Sequence, residues 1–392
     1  MNNEIIPKGW KKIKLKEVLT EISERNKGER VTVVLSVTNS QGFVKQEEYF
    51  EGTVHSENIS NYKIIRKNQF AYNPSRVNVG SIDILKDYEE GALSPMYIVF
   101  EVDTTKLLPD YFKYYFQTNR FFENVKNNTQ GSVRNSLSFK ALSDFDYLLP
   151  PIEEQEKIVE ILKTIDSIIE KHESLLEEKN QFIKSLFVEM FGDPIENPKN
   201  YKIVKLSDIA DYWNGLTYKP TDVNKKGTIV LRSSNIQNSQ LNYQDIVRVN
   251  CNIKEKQYVK DNDILMCSRN GSTRLVGKVA VIKDIKEKMT FGAFMMIIRS
   301  EYYPYLFSYF QTDAFRNQIK YGATTTINQI TGNMLNKIKL PLPDKDDINQ
   351  FAEIVKQIDK QKVESEKLIT NYKTLKKGLM QQLLTGKVRV KI

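Results

Sequence analysis

The side chains best able to do chemistry in this 392-residue sequence gather in short polar clusters that mix arginine, asparagine and hydroxyls. In the first half, Asn73, Ser75, Arg76 and Asn78 precede Gly80, and Ser132, Arg134, Asn135 and Ser136 follow Gly131. The second half carries Arg232, Ser233, Ser234 and Asn235, then Ser268, Arg269, Asn270, Ser272, Thr273 and Arg274, and later Thr324, Thr325, Thr326, Asn328 and Gln329 after Gly322. These residue types suit DNA. Arginine pairs with guanine O6 and N7, and asparagine and glutamine with adenine N6 and N7, while serine, threonine and main-chain amides hold phosphates. Serine, asparagine and glycine also mark ordinary turns, and at any single position that alternative stands open. Recurrence of the clusters at like positions in both halves favours recognition.

Catalytic signatures are missing. Two histidines, His55 and His172, and two cysteines, Cys251 and Cys267, are too few for a disulfide framework, a zinc-finger array or a histidine-ligated metal site. Both thiols are expected to be free and buried. The run from Gly271 to Lys278 looks like a phosphate loop, but it has one residue too many between its glycines, and Val279 stands where magnesium needs a hydroxyl. No G-x-G-x-x-G follows a strand, so no dinucleotide or S-adenosylmethionine fingerprint is present. Asn73-Pro74-Ser75-Arg76 begins like the Asn-Pro-Pro-aromatic motif of base methyltransferases but lacks the second proline and the stacking ring. The acidic stretch at Asp344, Asp346 and Asp347 reads as N-terminal helix charge. The expectation is a chain with no catalytic residue, no metal and no cofactor of its own.

The elements that must position these clusters are written twice. Pro7-Lys8-Gly9-Trp10-Lys11-Lys12-Ile13-Lys14-Leu15 recurs as Pro198-Lys199-Asn200-Tyr201-Lys202-Ile203-Val204-Lys205-Leu206, and Phe116-Gln117-Thr118 with Phe121 recurs as Phe310-Gln311-Thr312 with Phe315. A period of roughly 190 residues is too long for a solenoid and fits duplication of a domain with its connector. Within each copy, β-branched and apolar runs at Val31 to Val37, Met96 to Val102, Thr228 to Arg232, Lys278 to Ile282 and Phe294 to Ile298 predict strands. Short helices are predicted at Leu15 to Glu24, Asp110 to Gln117 and Tyr305 to Gln311. The globular parts are thus α+β, or mixed α/β.

Each copy then changes character after prolines, at Pro150-Pro151 and at Pro341 with Pro343. Ile158, Leu162, Ile165, Ile169, Leu176, Ile183, Leu186 and Met190 step by three and four with interruptions at His172 and Lys179, which is a heptad seam. The second seam is Phe351, Val355, Ile358, Ile369, Tyr372, Leu379 and Leu383, with polar breaks at Lys362, Ser365 and Lys376. Gly192 and Gly386 supply the stops. Two long helices packed as an antiparallel coiled coil would join two similar domains with pseudo-two-fold symmetry; two helices that merely cap separate cores are the alternative. A 35-residue rod rises roughly 50 Å, about 15 base-pair steps. The predicted division is 1–151, first domain; 152–191, first helix; 192–343, second domain; 344–386, second helix; and 387–392, a tail.

Bulk properties narrow the partners without naming one. The excess of 58 Lys and Arg over 49 Asp and Glu gives a net charge of +9, which favours an anionic partner. The start of the chain lacks an apolar signal core, and the run 293–298 is too short to span a bilayer, so a cytoplasmic protein without a membrane partner is expected.

Two segments make the pattern specific. Leu148-Leu149-Pro150-Pro151-Ile152-Glu153-Glu154-Gln155-Glu156-Lys157-Ile158-Val159 and Leu375-Lys376-Lys377-Gly378-Leu379-Met380-Gln381-Gln382-Leu383-Leu384-Thr385-Gly386-Lys387-Val388-Arg389, with the duplication and paired helices, resemble the specificity subunits of type I restriction-modification systems over nearly the whole chain. The second helix entry departs from the pattern, because Pro343-Asp344-Lys345-Asp346 replaces the Glu-Glu-Gln of the first. The resemblance implies two target recognition domains, each reading one half of a split sequence in double-stranded DNA. It further implies helices that set the spacing and dock two methyltransferase subunits, with or without two motor and nuclease subunits. S-adenosylmethionine, ATP and magnesium would sit on those partners, which flip and methylate adenine. The contrasting expectation is a coiled-coil interaction scaffold whose α+β domains bind proteins rather than DNA.

Overall fold

In the computed structural model, which describes residues 6–49, 56–129, 136–321 and 328–391, contacts divide the chain within each long helix rather than at the helix ends. Unit 1 is residues 1–173 with 366–392, and unit 2 is residues 174–365.

Unit 1 contains strands β1 (Lys11–Lys14), β2 (Leu19–Ile22), β3 (Val34–Val37) and β4 (Phe43–Lys45), helix α1 (Gln46–Tyr49), and strands β5 (Lys63–Arg66), β6 (Phe70–Tyr72), β7 (Ile82–Ile84), β8 (Glu90–Leu93) and β9 (Ile98–Val102). Helices α2 (Pro109–Tyr115), α3 (Asn119–Thr129) and α4 (Phe139–Ser143) follow, then β10 (Asp146–Leu149) and the first part of α5 (Ile152–Phe191). One four-stranded sheet has the order β2-β9-β6-β7 and a second the order β4-β3-β8-β5, with β3 and β8 parallel. The central strand β6 of the first sheet is buried on both faces, so it reads as an apolar run rather than an alternating one. Phe70, Tyr72, Phe100 and Val102 enter the larger core with the helices, while Ala71 and Val99 face a separate core shared with Leu35, Val37 and Leu93.

Unit 2 repeats this scheme. Its elements are β11 (Lys202–Lys205), α6 (Leu206–Ile209), β12 (Asp211–Asn214), β13 (Val223–Leu231), β14 (Ile236–Gln237), β15 (Gln240–Leu241), β16 (Val247–Val249), β17 (Ile264–Cys267), β18 (Val279–Val281), β19 (Met289–Phe291) and β20 (Met295–Arg299). Then come α7 (Tyr303–Tyr309), α8 (Asp313–Tyr321), α9 (Gly332–Leu335), β21 (Lys339–Leu342) and the first part of α10 (Lys345–Leu383). The order β12-β20-β17-β18 matches β2-β9-β6-β7, and the parallel pair β13 and β19 matches β3 and β8. Again the central sheet has two buried faces: Ile264 and Met266 point to the helical core, Leu265 and Cys267 to the other.

The helix ends are core members as well as partners of each other. In unit 1, Ile158 and Leu162 of α5 share a core with Met380 and Leu383 of α10 and with Phe112 and Tyr147. Ion pairs join Asp166 to Lys376 at 2.6 Å and Glu173 to Lys373 at 2.7 Å, so one helix ascends as the other descends. In unit 2, Phe187 and Phe191 of α5 close on Phe351 of α10 and Tyr305, with ring centroids 5.2 to 6.0 Å apart. Ile165, Ile169, Ile358 and Ile369 are buried, while Leu176, Ile183, Leu186, Val355 and Leu379 are partly so. The seam prediction omitted Phe187 and Phe191, which lie one residue off its register yet are the buried pair. Gly192 and Gly386 end the helices in the left-handed region, at φ +77° and +69°. A Cβ at Gly192 would stand 2.5 Å from Pro198 Cγ, and one at Gly386 2.3 Å from Pro7 Cγ, so glycine is required twice over.

Two expectations need correction. Leu15 to Glu24 is not a helix: a single turn at Leu15–Glu17 leads into β2, which pairs with β9. The spacing of Leu15, Val18, Leu19 and Ile22 fits a helix, but the open edge of β9 supplies a full ladder of backbone partners that a short isolated helix cannot match. Cys251 is free but only half-buried, whereas Cys267 is free and buried.

Candidate nucleic-acid interface

In unit 2 the polar clusters meet where β13 and β17 end. Leu231 closes β13 by accepting a hydrogen bond from Gly292 N at 2.9 Å, and the chain turns into Arg232. Here Asn235 is a staple. Its side-chain oxygen accepts from Arg232 N at 2.8 Å, its amide donates to the carbonyls of Asn242 and Asp245, and it is 1% exposed. Arg232 is tied to Asp245 at 2.7 Å. The Oγ of Ser234 is buried without a partner among the described residues. Asn235 is therefore corrected from a DNA contact to a support of the loop, because both ends of its amide are already spent on backbone groups.

The second cluster leaves β17. The backbone amides of Ser268 and Arg269 both donate to Phe294 O, at 3.0 and 3.1 Å. The exposed Arg269 guanidinium lies over the Phe294 ring, 5.4 Å from its centroid, with no carboxylate paired to it among the described residues. Asn270 donates to Ser233 Oγ at 3.1 Å and accepts from Ser272 N at 3.0 Å, which joins this cluster to the first. Its backbone N donates to Asn328 O at 3.4 Å, and Ile330 N donates to Ser268 O at 2.7 Å, which brings in the third cluster. Ser272 and Arg274 are exposed around the turn Thr273–Leu275. Beneath them burial pushes the Cys267 thiol up, and its Sγ donates to Arg269 O at 3.6 Å, so it stays a neutral core group. The Gly271 to Lys278 run leads into strand β18. It has no following helix N-terminus to face a phosphate, as the missing hydroxyl already suggested.

Unit 1 builds the same corner after β6. Asn73 Oδ1 accepts from Ser75 N at 3.1 Å, and Leu137 N donates to Pro74 O at 3.0 Å, the counterpart of Ile330 to Ser268. Ser75, Arg76 and Asn78 are exposed, and Arg76 makes no side-chain bond among the described residues. Gly80, at φ +93°, matches Gly277 at +84°. Ser132, Arg134, Asn135 and Thr325 lie outside the described residues.

Residue types alone missed three contributors. The loop Thr38, Asn39, Ser40 and Gln41 follows β3 as Arg232 to Asn235 follows β13, and Ser81 Oγ anchors it through Val37 O at 2.7 Å. Aligning the two copies of the parallel strand pair would have found it. Met96 and Phe294 are large, apolar and exposed beside the polar loops, and their residue type hid them. Among the described residues, no group of three or more His, Cys, Asp or Glu could hold a metal ion, and no helix is long and apolar enough to cross a membrane.

Residues 7–179 and 198–373 match the profile of the family described as Type I restriction modification DNA specificity domain. The chain is 24% identical over 412 positions to the type I restriction enzyme MjaVIII specificity subunit of Methanocaldococcus jannaschii, covering 98% of this chain and 94% of that protein. It is 26% identical over 207 positions to the EcoKI specificity subunit of Escherichia coli (strain K12), covering 50% of this chain and 44% of that one. A chain solved in a study of type I R-M complex assembly and conformational transition superposes with a TM-score of 0.58 at 14% identity, covering 98% and 100%. The type I restriction-modification S subunit from M. genitalium does so with 0.54 at 13% identity, covering 100% and 98%. At those identities the structural likeness is one of fold.

Proposed function

We propose, starting from a chain that belongs to the type I restriction-modification DNA specificity family, that each of its units reads one half of a bipartite DNA sequence. The chain is a specificity subunit: it selects the sequence and leaves the chemistry to other subunits. The observation that carries the half-site assignment is the repeated corner, where loops from β3 and β6 in one unit, and from β13 and β17 in the other, gather polar side chains around an exposed arginine. Arg76 and Arg269 have the donors that guanine O6 and N7 accept.

The remaining assignments rest on family membership. Two methyltransferase subunits dock on the paired helices, and two motor and nuclease subunits join where the system also restricts. S-adenosylmethionine, ATP and magnesium belong to those partners, and the assembly works in the cytoplasm. The chain assembled with its methyltransferase subunits should bind its target duplex with an affinity that falls steeply as salt rises, because phosphate neutralisation releases counterions. It should also hold the target far more tightly than random duplex at every salt concentration. Equal affinity for both would remove the specificity role, and no DNA binding at all would remove the DNA partner.

A further inference from the structure

At one matched turn beside its polar loops, each unit holds a large apolar side chain out to solvent. Phe294 is 60% exposed and Met96 is 61% exposed. They occupy the same position in the repeat, at the turn that carries the chain from β19 to β20 and from β8 to β9. The turn closes with the same hydrogen bond, Met295 N to Gly292 O at 2.8 Å and Tyr97 N to Ser94 O at 3.0 Å. Each also touches the loop leaving the central strand: Phe294 through the Arg269 stack, and Met96 through its Sδ, which accepts from Asn73 Nδ2 at 3.7 Å. A lone exposed apolar side chain is ordinary. Two at matched positions, neither of them a member of a core, are left unexplained by folding.

The DNA major groove offers one apolar group to contact, the C5 methyl of thymine. Arg269 is suited to the guanine edge, and the ring under its guanidinium restrains the plane of that fork and lowers the side-chain entropy lost on binding. The ring centroid stands 5.4 Å from that guanidinium, so a guanidinium seated on guanine would keep the ring within about two base-pair steps of that base.

We propose that Phe294 contacts the methyl of a thymine adjacent to the guanine read by Arg269, and that Met96 makes the corresponding thymine contact in the half-site of unit 1. The inference rests on the units being DNA readers and adds which base neighbours the arginine contact. The test uses the full chain assembled with its methyltransferase subunits and a target duplex in which each thymine is replaced singly by 2′-deoxyuridine, which removes only the methyl. One replacement in the half-site of unit 2 should weaken binding about four-fold, the worth of one buried methyl. That loss should vanish with Phe294→Ala and persist with Phe294→Leu, while Met96→Ala should erase a sensitive position in the other half-site. A flat scan, or a loss that survives Phe294→Ala, overturns the proposal. So does a flat scan with a rise in 2-aminopurine fluorescence, which would make Phe294 a wedge between bases. Failure to prefer the target over random duplex would instead overturn the DNA-reading role itself.

Discussion

Arg269 and Asn235 share a face of unit 2 but not a task. Arg269 is exposed and uncommitted to any carboxylate, whereas the amide of Asn235 is consumed by three backbone groups. Arg269→Ala should therefore lower discrimination at one base pair of one half-site by about 1 to 3 kcal/mol, leaving the unfolding midpoint unchanged; competition binding against single-base variants of the target measures it. Equal loss on target and random duplex would reduce Arg269 to a phosphate contact. A second residue of this kind is Glu154, fully buried, which accepts from the Trp10 indole at 2.8 Å and from Nε and Nη2 of Arg389 at 2.6 and 2.8 Å. Arg389→Met would strand that carboxylate and should cost about 3 kcal/mol or more in urea unfolding; an unchanged midpoint would show that the indole alone satisfies it. The sequence made these residue types visible but not their use. Whether an asparagine faces solvent or its own backbone depends on a carbonyl ten residues away, which spacing does not encode.

At the scale of elements, what was legible followed from regular periodicity. The two long helices stand out because their apolar seams run for several turns between proline starts and glycine stops. The short segment at Leu15 to Glu24 misled, because its apolar spacing fits a helix and only pairing with the partner strand β9 overrules it. The seam's polar breaks were legible as residues, though their environment was not: Lys362 and Ser365 are buried, and Lys179 Nζ reaches Ser365 Oγ at 3.5 Å. Lys362 sits 3.7 Å from Asp359, which already holds Lys283 at 2.9 Å. Lys362→Met thus removes a buried ammonium without stranding its partner and should raise the thermal midpoint by a few degrees. A fall would mean that the polar layer is worth more than its desolvation.

At the scale of the whole molecule, duplication explains why a modest +9 charge can serve a DNA-binding chain. In the proposed reading recognition falls to two small corners, while along the helices acidic and basic side chains pair with one another. Adding or removing matched turns in α5 and α10 should lengthen or shorten the unread spacer and leave both half-sites unchanged; a spacer that stays fixed would deny the helices a ruler's part. The most direct test maps methylated sites across the genome of cells carrying this chain with its methyltransferase, first as wild type and then with substitutions confined to the β13 and β17 loops. The expected result is a motif of two fixed half-sites separated by an unread spacer, with the unit 2 substitutions altering one half alone. A single continuous motif, or a change in both halves at once, would contradict the assignment of one reader to each half-site.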